Sequence, residues 1–158
     1  MIFTTHIPLK KQYSTIDYNS KIVSIGSCFA DNMAAKFNYY KFKNTANPTG
    51  VLFNPVAIEN LFFRAYTDKK FTENDLFFHD GLFKCFEVHS DLNLDNKEHY
   101  LSNLNQIIND FKIQISEANY IIITLGTAWV YQHKESGKIV ANCHKVSQNQ
   151  FNKIILST

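Results

Sequence analysis

An α/β fold built on a mostly parallel sheet is the class the sequence predicts, and three observations carry it. Lys21-Ile22-Val23-Ser24-Ile25 is a β-branched run closed by Gly26, and the helix-compatible stretch Phe29 to Tyr40 follows at once, so strand and helix succeed each other in one unit. Tyr120-Ile121-Ile122-Ile123-Thr124-Leu125 has no polar alternation until its end, as in a strand buried on both faces of a parallel sheet. Between them Leu101, Leu104, Ile108, Phe111 and Ile115 recur at alternating three- and four-residue spacing, the stripe of a long helix with one buried face.

The remaining elements follow in chain order. After a polar leader, the βα unit gives way to Lys43 to Gly50, a segment so full of turn formers that it reads as a loop. Asn54-Pro55 supplies an N-cap followed by proline at the first helical position, which predicts a helix over Pro55 to Tyr66. Leu76 to His79 and Leu82 to Phe86 flank Asp80-Gly81, the dipeptide of a type I′ hairpin. Asp95 with Glu98 resembles a capping box for the long helix. Ala128 to Gln132 and Lys138 to Asn142 flank Glu135-Ser136-Gly137 as a second hairpin. Ser147 and Gln150 suggest a cap for a last helix carrying Phe151, Ile154 and Ile155. That helix has barely completed a face at Thr158, and two core strands are few for such a sheet, so the chain is expected to be the N-terminal part of a longer protein.

Composition bounds the function. With 158 residues, 45% of them hydrophobic, one domain spanning 1–158 with a real core is expected. The 16 basic and 14 acidic side chains are scattered, without the basic stripe a nucleic acid demands, so no nucleic-acid partner is expected. Neither an apolar signal core nor a membrane-length run occurs; a cytoplasmic protein without a membrane partner is the expectation. Three widely spaced cysteines argue against a disulfide framework. The spacings of His79, Cys85, His89 and Cys143-His144 fit no usual zinc pattern, so neither a metal nor a cofactor is expected.

Chemistry is expected at Gly26-Ser27-Cys28. A hydroxyl at the carboxyl end of a parallel strand lies beside unpaired amides of the next helix, where it could attack a carbonyl carbon while those amides hold the oxyanion. The same serine also suits a simple helix cap. Cys28 is a second candidate nucleophile, its thiol favoured by the helix N-terminus.

Ile25-Gly26-Ser27-Cys28-Phe29-Ala30 matches the motif for which the GSCFA family is named. Asn47-Pro48-Thr49-Gly50-Val51-Leu52-Phe53-Asn54-Pro55 resembles a second string of that family, and Leu125 to Tyr131 running on to Ala141-Asn142-Cys143-His144-Lys145 a third. The family is similar to the SGNH (GDSL-like) hydrolases, three-layer α/β/α esterases. The resemblance implies a serine esterase or deacetylase acting on an acylated small molecule or saccharide, with Ser27 as nucleophile. It also implies an oxyanion hole from the amides at Ser27 or Cys28 and at Gly50, with Thr127 standing where SGNH proteins have an asparagine donor. Gly26, Gly126, Trp129 and His144 are supporting or binding candidates; Trp129 and Tyr131 would line an acyl pocket or, as alternating aromatics on a strand, belong to the core, and His144 is the in-chain alternative for the base. The Asp-x-x-His of SGNH enzymes is absent, and the resemblance implies a histidine beyond Thr158. The alternative reading is a non-catalytic anion- or carbohydrate-binding module on the same scaffold.

Overall fold

A computed structural model describes Pro8, Lys10 and residues 13–157. Strand β1, Lys21–Gly26, runs into helix α1, Cys28–Tyr39, and strand β2, Lys43–Ala46, returns parallel to β1. Helix α2 spans Pro55–Thr67; β3, Phe77–His79, and β4, Leu82–Lys84, form the first hairpin. Helix α3, Lys97–Glu117, leads into β5, Tyr120–Thr124, which lies parallel on the other side of β1. Strands β6, Trp129–His133, β7, Ile139–Val140, and β8, Phe151–Ile155, make a separate antiparallel sheet in the order β7-β6-β8.

The parallel sheet has the order β2-β1-β5. The chain leaves β1 to one side and later returns to its other side. That reversal makes a switch point between β1 and β5, and a crevice outside their carboxyl ends. The register is pinned at the opposite end: Asn119 donates from its backbone to Lys21 O at 2.9 Å and accepts the Lys21 amide on its side chain at 2.8 Å.

Helices start and stop where the local chemistry dictates. Asn54 accepts the Ala57 amide at 2.9 Å and Pro55 opens α2, which ends on Asp68 in a left-handed conformation, as capping residues do. Asp80 and Gly81 both have positive φ, the requirement of a type I′ turn. On α3 the buried stripe is Tyr100, Leu104, Ile108 and Phe111, with Leu101 and Ile115 at its margins. It meets Val23 and Ile25 of β1 together with Ile58 and Leu61 of α2 in one core. The buried Arg64 of α2 gives all its N–H groups to Glu87, Asp75 and the carbonyls of Lys69 and Lys70. It thereby ties α2 to the 85–89 loop.

Four expectations need correction. Lys43–Ala46 is a strand, not loop: it is a polar edge whose main-chain pairing with β1 needs no apolar side chains. Strand β5 is not buried on both faces. Ile121 and Ile123 pair with Val23 and Ile25 but remain 46% and 50% exposed, because β5 lies at the sheet margin and α3 packs on β1. The cap of α3 is Asn96, which accepts the His99 amide at 2.7 Å, not Asp95. Finally, Ser147 makes no side-chain cap bond, and the expected terminal helix is a short turn at Gln148–Gln150 followed by β8 paired to β6. A five-residue segment with apolar residues only at Phe151, Ile154 and Ile155 is too short for its period to choose helix over strand. The available edge of β6 decides.

Candidate active site

Strand β1 ends in a residue that only glycine can be. Gly26 has φ +132, and a Cβ there would lie 2.1 Å from Thr124 O of β5. The two strands therefore touch backbone to backbone, and the next residue, Ser27, is delivered directly over the end of β5.

Ser27 is held from three sides. Its amide donates to Thr124 O at 2.9 Å and to Thr124 Oγ1 at 3.0 Å. Its Oγ lies 3.1 Å from Thr124 Oγ1 and accepts the Phe29 amide at 3.3 Å. Ser27 is thus the N-cap of α1, as the simpler expectation had it. It is also half-buried at the switch point, with the Phe29 amide donating to its oxygen and the Thr124 hydroxyl in hydrogen-bond contact with it.

A second layer fixes the turn. Asn47, nearly buried and at φ 41, accepts the Gly26 amide on Oδ1 at 2.7 Å and donates from Nδ2 to Asp31 Oδ1 at 2.7 Å. Its backbone receives Gly50 and gives to Ser24 O, so one side chain joins β1, α1 and the Asn47–Gly50 turn. Asn47→Ala is expected to cost about 1–3 kcal/mol, from the unpaired Gly26 amide and the loss of a residue type that tolerates positive φ. A urea unfolding series checks it. Asp31→Asn, which can still accept from Asn47, should cost less.

The expected oxyanion donors do not stand alike. Among the described residues the Cys28 amide has no partner; it is the first amide of α1 and is free to donate. The Gly50 amide already donates to Asn47 O at 2.8 Å. Its glycine is required for another reason, since a Cβ there would lie 2.3 Å from His89 Cβ. The amides of Gly126 and Thr127 both reach Phe53 O, and Gly126 leaves room for the Phe53 ring. Thr127 Oγ1 accepts from the Trp129 amide at 2.9 Å, which leaves its own proton free to donate. Cys28 itself is exposed and unpaired as a thiol.

His144 sits elsewhere in the bonding scheme. It is 2% exposed, its Nε2 lies 2.7 Å from Cys85 O and 3.1 Å from Val88 O, and its Nδ1 lies 3.2 Å from Asn93 Nδ2. Two carbonyls can only accept, so Nε2 carries the proton and Nδ1 accepts from the amide. Both nitrogens are taken up in anchoring the 142–146 turn to the 85–93 loop. Burial, partly opposed by those carbonyls, pushes its pKa down to about 4. The unfolded chain takes up a proton near the ordinary value and the folded chain does not. Stability therefore falls as pH drops from about 6.5 toward 4, by about 3 kcal/mol. Urea midpoints at pH 7 and pH 4.5 should show that acid loss in the native sequence, and His144→Gln should flatten it.

Residues that sequence reasoning gave no role are Thr124, Asn47 and Asp31. Thr124 carried a signal, being the polar end of an apolar strand, and so did Asn47, an asparagine before proline in a turn-rich string. Among the described residues no three histidine, cysteine or carboxylate side chains converge as metal ligands, and no helix is long and apolar enough to cross a membrane.

Comparison with known proteins gives one match: the model of the GSCFA family covers residues 21–158. No curated protein and no solved structure matches.

Proposed function

The chain belongs to the GSCFA family, and from that premise we propose that it acts as a serine-dependent ester hydrolase on a three-layer α/β/α scaffold of the SGNH kind. The β2-β1-β5 order is that of the first strands of a doubly wound sheet. One observation supports the activity above others. Ser27 Oγ lies at the switch-point crevice between the Phe29 amide and the Thr124 hydroxyl, beside the unpaired Cys28 amide.

The steps are those of acyl transfer. A base takes the Ser27 proton while Oγ bonds to the ester carbonyl carbon, and the Phe29 amide and Thr124 hydroxyl steady the developing charge on Oγ. The Cys28 amide, with the Thr127 hydroxyl, receives the carbonyl oxygen as it becomes an oxyanion. Collapse expels the alcohol with a proton returned from the base; water then repeats the sequence on the acyl-serine and releases the acid. No described histidine or carboxylate bonds to Ser27 Oγ, and His144 is engaged elsewhere, so the proposal assigns the base to a residue outside those described.

That no described histidine or carboxylate bonds to Ser27 Oγ is what favours the second reading, a binding module that uses the turn without catalysis. A serine-directed fluorophosphonate applied to the full-length protein separates the two. The hydrolase reading expects one adduct, mapped by mass spectrometry to Ser27; an unlabelled Ser27 in protein that is folded by circular dichroism leaves the binding module.

A further inference from the structure

Beyond the Thr127 hydroxyl, the cavity that begins there has no part in the reaction as derived above. It encloses about 640 Å³ and runs from Phe53 and Thr127 along β6 to Ser147 and Gln148, a volume within the range of small-molecule sites. Thr127 borders it and lies three residues beyond Thr124, on which Ser27 is hydrogen bonded. The cavity therefore opens from the same strand end that holds Ser27, which does not itself line it.

Its walls are of two kinds. Trp129 and Tyr131 are two residues apart on β6 and so project from one face of the strand. Asn142, Ser147 and Gln148 also line the cavity. The Asn142 Oδ1 accepts the His144 amide at 2.7 Å, which leaves its NH₂ group to donate. No aspartate or glutamate lines the cavity; Lys145 does, and the Lys153 ammonium lies 5.1 Å from the Trp129 ring centroid, covering one face of the indole. A cationic occupant is thereby disfavoured.

An acyl chain would use the aromatic wall and leave the amides and hydroxyls facing hydrocarbon, at a cost. A sugar ring has an apolar C–H face for the indole and hydroxyls for Asn142, Ser147 and Gln148. The turn that carries the polar wall is also strained. His144 and Lys145 are consecutive non-glycine residues at φ 50 and 62, a conformation that persists only where surroundings impose it, as at ligand clamps. The His144 ring bonds supply that imposition.

We propose that this cavity is the subsite for the alcohol portion of the ester and that this portion is a sugar ring packed on Trp129. The proposal rests on the hydrolase reading. Trp129 is the single tryptophan of these 158 residues, and the difference in emission between protein with Trp129 and its Trp129→Phe variant reads the cavity without any turnover. Full-length Ser27→Ala protein is titrated with xylobiose, cellobiose, chitobiose and digalacturonic acid, and separately with sodium octanoate. A saturable change in emission with at least one disaccharide and none with octanoate is expected, and Gln148→Ala should weaken that titration at least tenfold with its melting temperature unchanged. A response to octanoate alone assigns the cavity to the acyl chain, and no response to any of the five removes the ligand role; either outcome overturns the proposal. Phosphonate labelling of the Ser27-containing protein tells the two failures apart. Label without a sugar response removes this subsite alone, whereas a sugar response without label leaves a sugar site and removes the ester chemistry.

Discussion

Ser27→Ala is expected to lower kcat/KM for p-nitrophenyl acetate by at least about a thousandfold in the full-length protein, while unfolding free energy falls by only about 1 kcal/mol. The two numbers come from different atoms. Activity needs Oγ itself, since no other described hydroxyl stands between the Phe29 amide and Thr124 at the crevice. Stability loses only the cap bond to Phe29 at 3.3 Å, a long one, and the 3.1 Å bond with the Thr124 hydroxyl. The two bonds that the Ser27 amide donates, to Thr124 O and to Thr124 Oγ1, do not involve the Ser27 side chain and survive the substitution. Steady-state hydrolysis and urea unfolding on one preparation check both. A loss of activity below tenfold would leave Ser27 as a cap and nothing more.

The role of the Cys28 amide can be isolated in the same assay. Cys28→Ala keeps the N–H, so a thiol nucleophile would be exposed by its loss of activity. Cys28→Pro deletes the N–H at the first helical position, where proline is favoured. Ser27 at φ −70 and ψ 173 already has the extended conformation that a following proline requires. A hundredfold to thousandfold fall in kcat for Cys28→Pro, with Cys28→Ala active, is the signature of an oxyanion donor.

Much of this site was legible in the sequence because it is written locally. Gly26-Ser27-Cys28 follows a β-branched run, Asn54-Pro55 opens a helix, and Asp80-Gly81 closes a hairpin; each is chemistry within four residues. What was not legible depends on partners distant in sequence. Lys43–Ala46 has no apolar pattern and becomes a strand only because β1 offers a main-chain edge. Phe151–Ile155 fits either period and is settled by β6. Thr124 and Asn47 meet Gly26-Ser27 only once the sheet register is fixed. The loss of both His144 nitrogens to the 85–93 loop likewise has no local sign.

Gly26→Ala should be the most damaging single methyl group at the site, costing roughly 2–6 kcal/mol of stability. Two independent penalties add. A φ of +132 is a conformation that an L side chain rarely adopts, and a Cβ would lie 2.1 Å from Thr124 O and 2.8 Å from Thr124 C. Neither neighbouring atom is the end of a flexible side chain; both are backbone of β5, whose register is pinned at its far end by Asn119. The strands must therefore part, and parting them lifts the Ser27 amide off Thr124 and separates the two hydroxyls now 3.1 Å apart. Whatever fraction of Gly26→Ala folds should still be inactive, which distinguishes this variant from one that merely lowers the folded population. Hydrolysis normalised to the folded fraction, measured by near-ultraviolet circular dichroism well below the melting temperature, is the decisive ratio. A ratio near that of the native chain would mean that Ser27 does not depend on the close contact between β1 and β5, and the derivation of its geometry from Gly26 would fail.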